Sequence, residues 1–151
     1  MKAGLSVELA QKLENIEAAA WQDMVLAASE EYKKTFRLNL DVIDGDTYIT
    51  CPAIPFVHFN CVLGFGTNQP VNEGYVSKLL NYFTKRDLST VYLYVIDGLH
   101  KDAEQLLADK GFSSSGSWER TWRDDRPLDE IPGTLKAGWH ISKVDAASAD
   151  A

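Results

Sequence analysis

The chain has 151 residues, 45% hydrophobic and 25% charged, an ordinary composition for one globular domain with its own core. Fifteen basic residues against 22 acidic ones leave a formal net charge of -7, a sign that repels phosphate backbones and argues against nucleic acid as a general partner. The first residues lead straight into an amphipathic stretch carrying Glu8, Lys12 and Glu14, and no segment approaches the ~20 apolar residues that span a bilayer, so no signal peptide and no membrane partner are expected and the compartment reads as cytoplasmic.

In chain order, Ser6 is a helix cap, and Leu9, Leu13, Ile16, Ala20, Met24 and Ala27 follow at near-helical spacing, predicting a helix or helix pair to about Lys34. Leu38 to Ile43 reads as a strand, Asp44-Gly45-Asp46 as a turn, and Tyr48 to Cys51 as the returning strand of a hairpin. Pro52 and Pro55 mark a bend or an edge. A further strand is expected from Phe56 to Leu63, with Val57, Phe59, Cys61 and Leu63 on one face and Phe56, His58, Asn60 and Val62 on the other. Cys51 and Cys61, the two thiols, sit in apolar surroundings where reduced structural cysteines are expected.

Gly64 to Pro70 is a loop. Asn72 caps a helix whose stripe is Val76, Leu79, Leu80 and Phe83 and which ends near Arg86-Asp87. Val91 to Ile96 is a continuous apolar run, expected to be a central strand covered on both faces. Asp97-Gly98 turns into a second helix with Leu99, Ala103, Leu106 and Leu107 on one face and Gly111 as its stop. Ser117 to Arg123 reads as a strand bearing Trp118, Arg120 and Trp122 on one side. The strand–helix–strand unit predicts parallel neighbours with a right-handed crossover, and the hairpin before it makes the sheet mixed. The fold class is therefore α/β (α+β in some schemes): a mixed, mostly antiparallel sheet with one parallel strand–helix–strand unit, flanked by helices. The organisation expected is a domain over 1-123, a charged, proline-containing linker over 124-137, and a strand and helix start over 138-151.

The order of elements resembles the GNAT superfamily of acyl-CoA-dependent N-acetyltransferases. In His100-Lys101-Asp102-Ala103-Glu104-Gln105-Leu106-Leu107-Ala108-Asp109-Lys110-Gly111-Phe112, the residues Ala103, Leu106, Gly111 and Phe112 match that family's last-helix signature. Asn60-Cys61-Val62-Leu63-Gly64-Phe65-Gly66, with Pro70-Val71-Asn72-Glu73 and an amphipathic helix after it, is similar to the N-terminal domain of tandem GNAT proteins, although Cys61 stands where an Arg is expected. Trp139 to Ala151 looks like the opening of the second domain of such proteins. The cues cover roughly residues 56 to 151.

The resemblance implies acetyl-CoA or another acyl-CoA as cofactor, a small-molecule amine as acceptor, and a second GNAT domain or a second copy as partner. GNAT enzymes hold the CoA pyrophosphate on backbone amides at a helix start, in a Gln/Arg-x-x-Gly-x-Gly/Ala loop, because such amides and the helix dipole favour anions. The comparable stretch is Val71 to Val76, which makes Gly74, Tyr75 and Val76 the cofactor-binding candidates. Val71 and Val76 depart from the pattern, and Glu73 adds negative charge beside the expected pyrophosphate. An ordinary capped helix is the commoner meaning of such a segment. Leu107 occupies the position of the tyrosine that many of these enzymes use as general acid, and His100 the position of an Asn. Glu119 is a conceivable base, and a solvated glutamate is the commoner reading. No catalytic residue is assigned.

His58 and Asn60, two apart on the expected strand, share a side and are candidate substrate-pocket residues. The alternative, which we prefer, is that both satisfy loop backbone groups. Cys61 points to the opposite face, so no metal site is expected there. Trp118, Trp122 and Trp139 are expected in core or interface packing. There is no phosphate-binding GxxxxGK[ST], no Ser-His-Asp spacing and no cysteine pair spaced for zinc. The sequence thus favours a non-catalytic or weakly CoA-binding N-terminal domain of an acetyl-CoA-dependent N-acetyltransferase. The alternative is a non-catalytic ligand-binding or assembly module on the same fold.

Overall fold

The computed structural model describes residues 6–117 apart from 55, 89, 97, 98 and 100–102. The chain divides into two compact units, 1–114 and 115–151, and every element below belongs to the first. His100, Trp118, Glu119, Trp122, Trp139, the linker and the second-domain start lie outside the described residues, as does all but the first residue of the strand expected over 117–123.

Helix α1 (Val7–Ala27) begins where the Ser6 hydroxyl accepts from Leu9 N at 3.1 Å. Helix α2 (Glu30–Phe36) follows after Ser29 caps Tyr32 N in the same way, so the expected helix pair forms. The face that α1 buries differs from the expected stripe. Ala10, Glu14, Ala18 and Val25 are buried, whereas Ile16 is 58% and Met24 47% exposed. The helix is rotated because two alanines let it sit close to the sheet, and because Glu14 and Gln11 find backbone partners beneath it.

Strands β1 (Asn39–Ile43) and β2 (Asp46–Thr50) pair antiparallel, Ile43 opposite Asp46. Asp44 (φ 54°) and Gly45 (φ 92°) form the two-residue turn, both residues having the positive φ that matches strand twist. Asp46 therefore opens β2 rather than belonging to the turn. Strand β3 (Asn60–Leu63) pairs antiparallel with β2, and β4 (Tyr92–Leu93) runs parallel to β3, as a strand–helix–strand unit requires. The sheet order is β1-β2-β3-β4. Two expectations are corrected here. Residues 57–59 form a 3-10 turn instead of extending β3, because β2 has ended at Thr50 and leaves them nothing to pair with. Residues 91–96 are half-buried, and β4 is the last strand of the sheet among the described residues rather than a covered central one.

Alternation along the strands feeds two cores. Ile49, Cys51, Cys61 and Leu63 face α1 and join Ala18 and Val25. Tyr48 and Val62 face helix α3 (Glu73–Thr84) and helix α4 (Ala103–Asp109), joining Val76, Leu79, Phe83, Ala103 and Leu107. Gly111 (φ 89°) ends α4 with Gly111 N to Ala108 O and Phe112 N to Leu107 O, both at 3.0 Å. The result is a mixed α/β layer structure with helices on both faces of a mixed sheet.

Candidate functional site

The cofactor-binding candidates sit at the start of α3, where Asn72 caps the helix by accepting from Tyr75 N at 3.0 Å. Each serves a different purpose. Val76 is fully buried in the core with Leu79 and Phe83. Tyr75 is buried, its hydroxyl accepting from Gly66 N at 3.3 Å and donating to Asp46 Oδ2. Gly74 is exposed, and a Cβ there would come within 3.3 Å of the Asn72 side-chain oxygen.

The glycine loop before α3 is pinned from three sides. From α1, buried Glu14 accepts from Gly64 N at 2.9 Å, and Gln11 donates to Thr67 O at 2.9 Å. From the hairpin, Asn68 donates to the Gly45 carbonyl at 3.1 Å. Within the loop, Thr67 donates its hydroxyl to Gly64 O at 2.8 Å. The amides of Gly64, Gly66 and Tyr75 are therefore already bonded to side chains of the chain itself. An entering pyrophosphate would have to displace a carboxylate, a buried phenol and a capping amide.

Asp46 is the buried hub of this network. Burial pushes its carboxyl up to about 6, against the downward pull of the Tyr75 hydrogen bond. Its Oδ1 and Gln69 Nε2 are buried without a hydrogen-bond partner among the described residues. The Tyr75 hydroxyl is pushed up, first by burial and then by its bond to Asp46, so it stays a donor. Sequence reasoning placed Asp46 in a turn and missed this hub, since nothing local marks a carboxylate for burial.

The expected substrate-pocket pair is not brought together on one strand. Asn60 is buried and spent on the turn after β2: it accepts from Cys51 N at 2.9 Å and donates to Ile54 O at 2.9 Å and Cys51 O at 3.4 Å. His58 lies in the 3-10 turn, stacked on Trp21 with ring centroids 5.4 Å apart, and its Nδ1 is 2.6 Å from the Tyr94 hydroxyl. For Asn60 the preferred reading, loop satisfaction, describes the geometry; His58 instead joins an aromatic stack. Leu107 is buried in the core. Cys51 and Cys61 are free thiols, and burial pushes Cys61 up to about 12.

A second polar assembly lies on the outer side of α3. Asp41 on β1 accepts from Tyr82 at 2.6 Å, Asn39 at 2.8 Å and Arg86 at 2.9 Å, while the Arg86 guanidinium lies 3.6 Å from the Tyr82 ring centre. The Tyr82 bond, aided by Asn39 and Arg86, holds the Asp41 carboxyl below its usual value despite burial. Lys78 bonds Asp44 at the hairpin turn. Between these pairs runs a groove of about 540 Å³, lined by residues of α3, by Lys85 and Arg86 just after it, and by Ile43 and Tyr48 of the hairpin. No helix among the described residues is long and apolar enough to cross a membrane. No family model, curated protein or solved structure matches the chain.

Proposed function

We propose that this chain is the non-catalytic GNAT-like domain of an acetyl-CoA-dependent N-acyltransferase, a domain whose own cofactor loop is closed by its own side chains. The observation that carries this reading is the occupation of the Gly64, Gly66 and Tyr75 amides by Glu14, Tyr75 and Asn72. Amides at a helix start bind phosphate when they are free; at the start of α3 the Tyr75 amide is taken by the Asn72 cap, and in the loop before it the Gly64 and Gly66 amides fasten the chain to α1 and α3. The general-acid position supports the same reading, since Leu107 has no proton to donate to a thiolate. The helix pair, hairpin, parallel strand–helix–strand unit and Gly111-Phe112 helix end are the features in keeping with a GNAT-like frame. On this reading acyl transfer to an amine resides in a second GNAT domain or a second copy, and this domain contributes support.

Thermal unfolding of the purified chain with and without millimolar acetyl-CoA tests the proposal. No shift is expected. A ligand present at 100 times its dissociation constant stabilises by about 2.7 kcal/mol, several degrees for a domain of this size, and a shift of that kind would overturn the reading.

A further inference from the structure

The groove beside α3 carries chemistry that the closed loop does not use. Its helical wall is Gly74, Ser77, Lys78, Asn81 and Tyr82, which recur at the spacing of one face of α3, continued by Lys85 and Arg86 in the turn just past the helix end. Its opposite wall is Ile43 and Tyr48. Every charged residue of this lining is basic, in a chain whose net charge is -7. Lys78 and Arg86 are held at their places by Asp44 and Asp41, which lie outside the lining, and Lys85 has no ion pair among the described residues.

Tyr48 adds a donor to the groove. The residue is 2% exposed, with its ring packed against Phe83 and Tyr82, yet it lines the groove and its hydroxyl is not among the buried unpartnered side-chain atoms, so that hydroxyl is open to the groove. Burial, with the charges of Asp46 and Asp44, pushes this phenol up to about 12, so it is a donor throughout the physiological range.

We propose that this groove binds a small organic anion of one or two negative charges, a phosphate monoester or a carboxylate. The anionic group sits between Lys85 and Lys78, where Ser77 and Asn81 add hydrogen bonds, and an acceptor on the same molecule takes the Tyr48 hydroxyl. Asp41 and Asp44 already compensate two of the three cations, which limits the charge accepted and disfavours a polyanion. The Tyr82 ring and Ile43 give the carbon skeleton an apolar floor. This site meets the α3 start only at Gly74, extends along the helix away from it, and does not depend on the acyltransferase reading.

The test is a titration of ¹⁵N-labelled protein with glycerol phosphate, inorganic phosphate and succinate, at constant ionic strength made up with chloride. Saturable amide shifts confined to Tyr48, Ser77, Lys78, Asn81 and Lys85 are expected, and the phosphate and succinate arms identify which anionic head is preferred. Lys85→Ala and Tyr48→Phe should each weaken binding about tenfold, the usual effect of losing a hydrogen bond to a charged ligand. Unchanged unfolding temperatures for both variants would attribute that loss to the site. Shifts that fail to saturate, that spread equally to Lys12, Lys33 and Lys110, or that survive both substitutions would overturn the proposal.

Discussion

Replacing Asp46 by Asn should stabilise the protein near neutral pH and have little effect in acid. The Asp46 carboxyl is completely buried, and its folded value of about 6 stands against the 3.8 of an aspartate in water. The folded state therefore binds the proton more tightly than the unfolded state. Stability from this group is fully present below about pH 4 and is lost as the pH rises from there through about 6. A shift of about two units, at about 1.4 kcal/mol each, sets the cost of the ionised form at about 3 kcal/mol above pH 7. Asparagine keeps the shape and an acceptor for Tyr75 but has no charge to desolvate. Urea unfolding of wild type and Asp46→Asn at pH 4 and pH 7.5 isolates the effect, because other carboxylates such as Asp41 titrate alike in both proteins and cancel. The advantage of the variant should grow by about 2–3 kcal/mol between the two pH values. An advantage that stays constant across that range would mean that Asp46 is not a strained buried carboxylate.

Three further outcomes follow from the geometry. Gly45→Ala should cost about 1–2 kcal/mol, because φ is 92° there and the new Cβ would lie 2.8 Å from the Asn68 amide nitrogen; a double-mutant cycle with Asn68→Ala should return the steric part and leave the backbone strain. Asn60→Ala should cost about 2–4 kcal/mol in urea unfolding, since it strips hydrogen bonds from Cys51 N, Cys51 O and Ile54 O in a buried turn. Both thiols should resist a disulfide reagent at pH 8 in the folded protein and react at the rate of unfolding, because Cys51 and Cys61 are 0% and 1% exposed and burial raises both. Rapid labelling in native buffer would contradict that burial.

Features encoded locally were legible in the sequence. Ser6 and Asn72 announce helix starts because a short polar side chain can satisfy an amide three residues on. Asp44-Gly45 announces a hairpin because both positions need positive φ. Gly111 announces a stop for the same reason. Features that depend on distant partners were not legible. The buried face of α1 includes Glu14, and a hydrophobic stripe cannot find an acid whose partner is Gly64 N, 50 residues away. The 3-10 turn at 57–59 follows from where β2 ends, although Val57 and Phe59 alternate with His58 as a strand would. The candidate site divided along the same line. The departure of Val76 from the glycine-loop pattern was visible, and its cause, a place in the core, was correctly read. That Tyr75 reaches across to Asp46 and Gly66 required the fold. So did the groove, whose basic lining comes from α3 and the turn after it and whose Tyr48 wall comes from another element.

Native-state hydrogen exchange of the Gly64, Gly66 and Tyr75 amides, measured with and without millimolar acetyl-CoA, reads out whether the loop is closed. All three should be slow in the free protein, held by Glu14, Tyr75 and Asn72, and acetyl-CoA should leave their rates unchanged. Fast exchange in the free protein that slows when acetyl-CoA is added would show an open cofactor loop and contradict the proposed function.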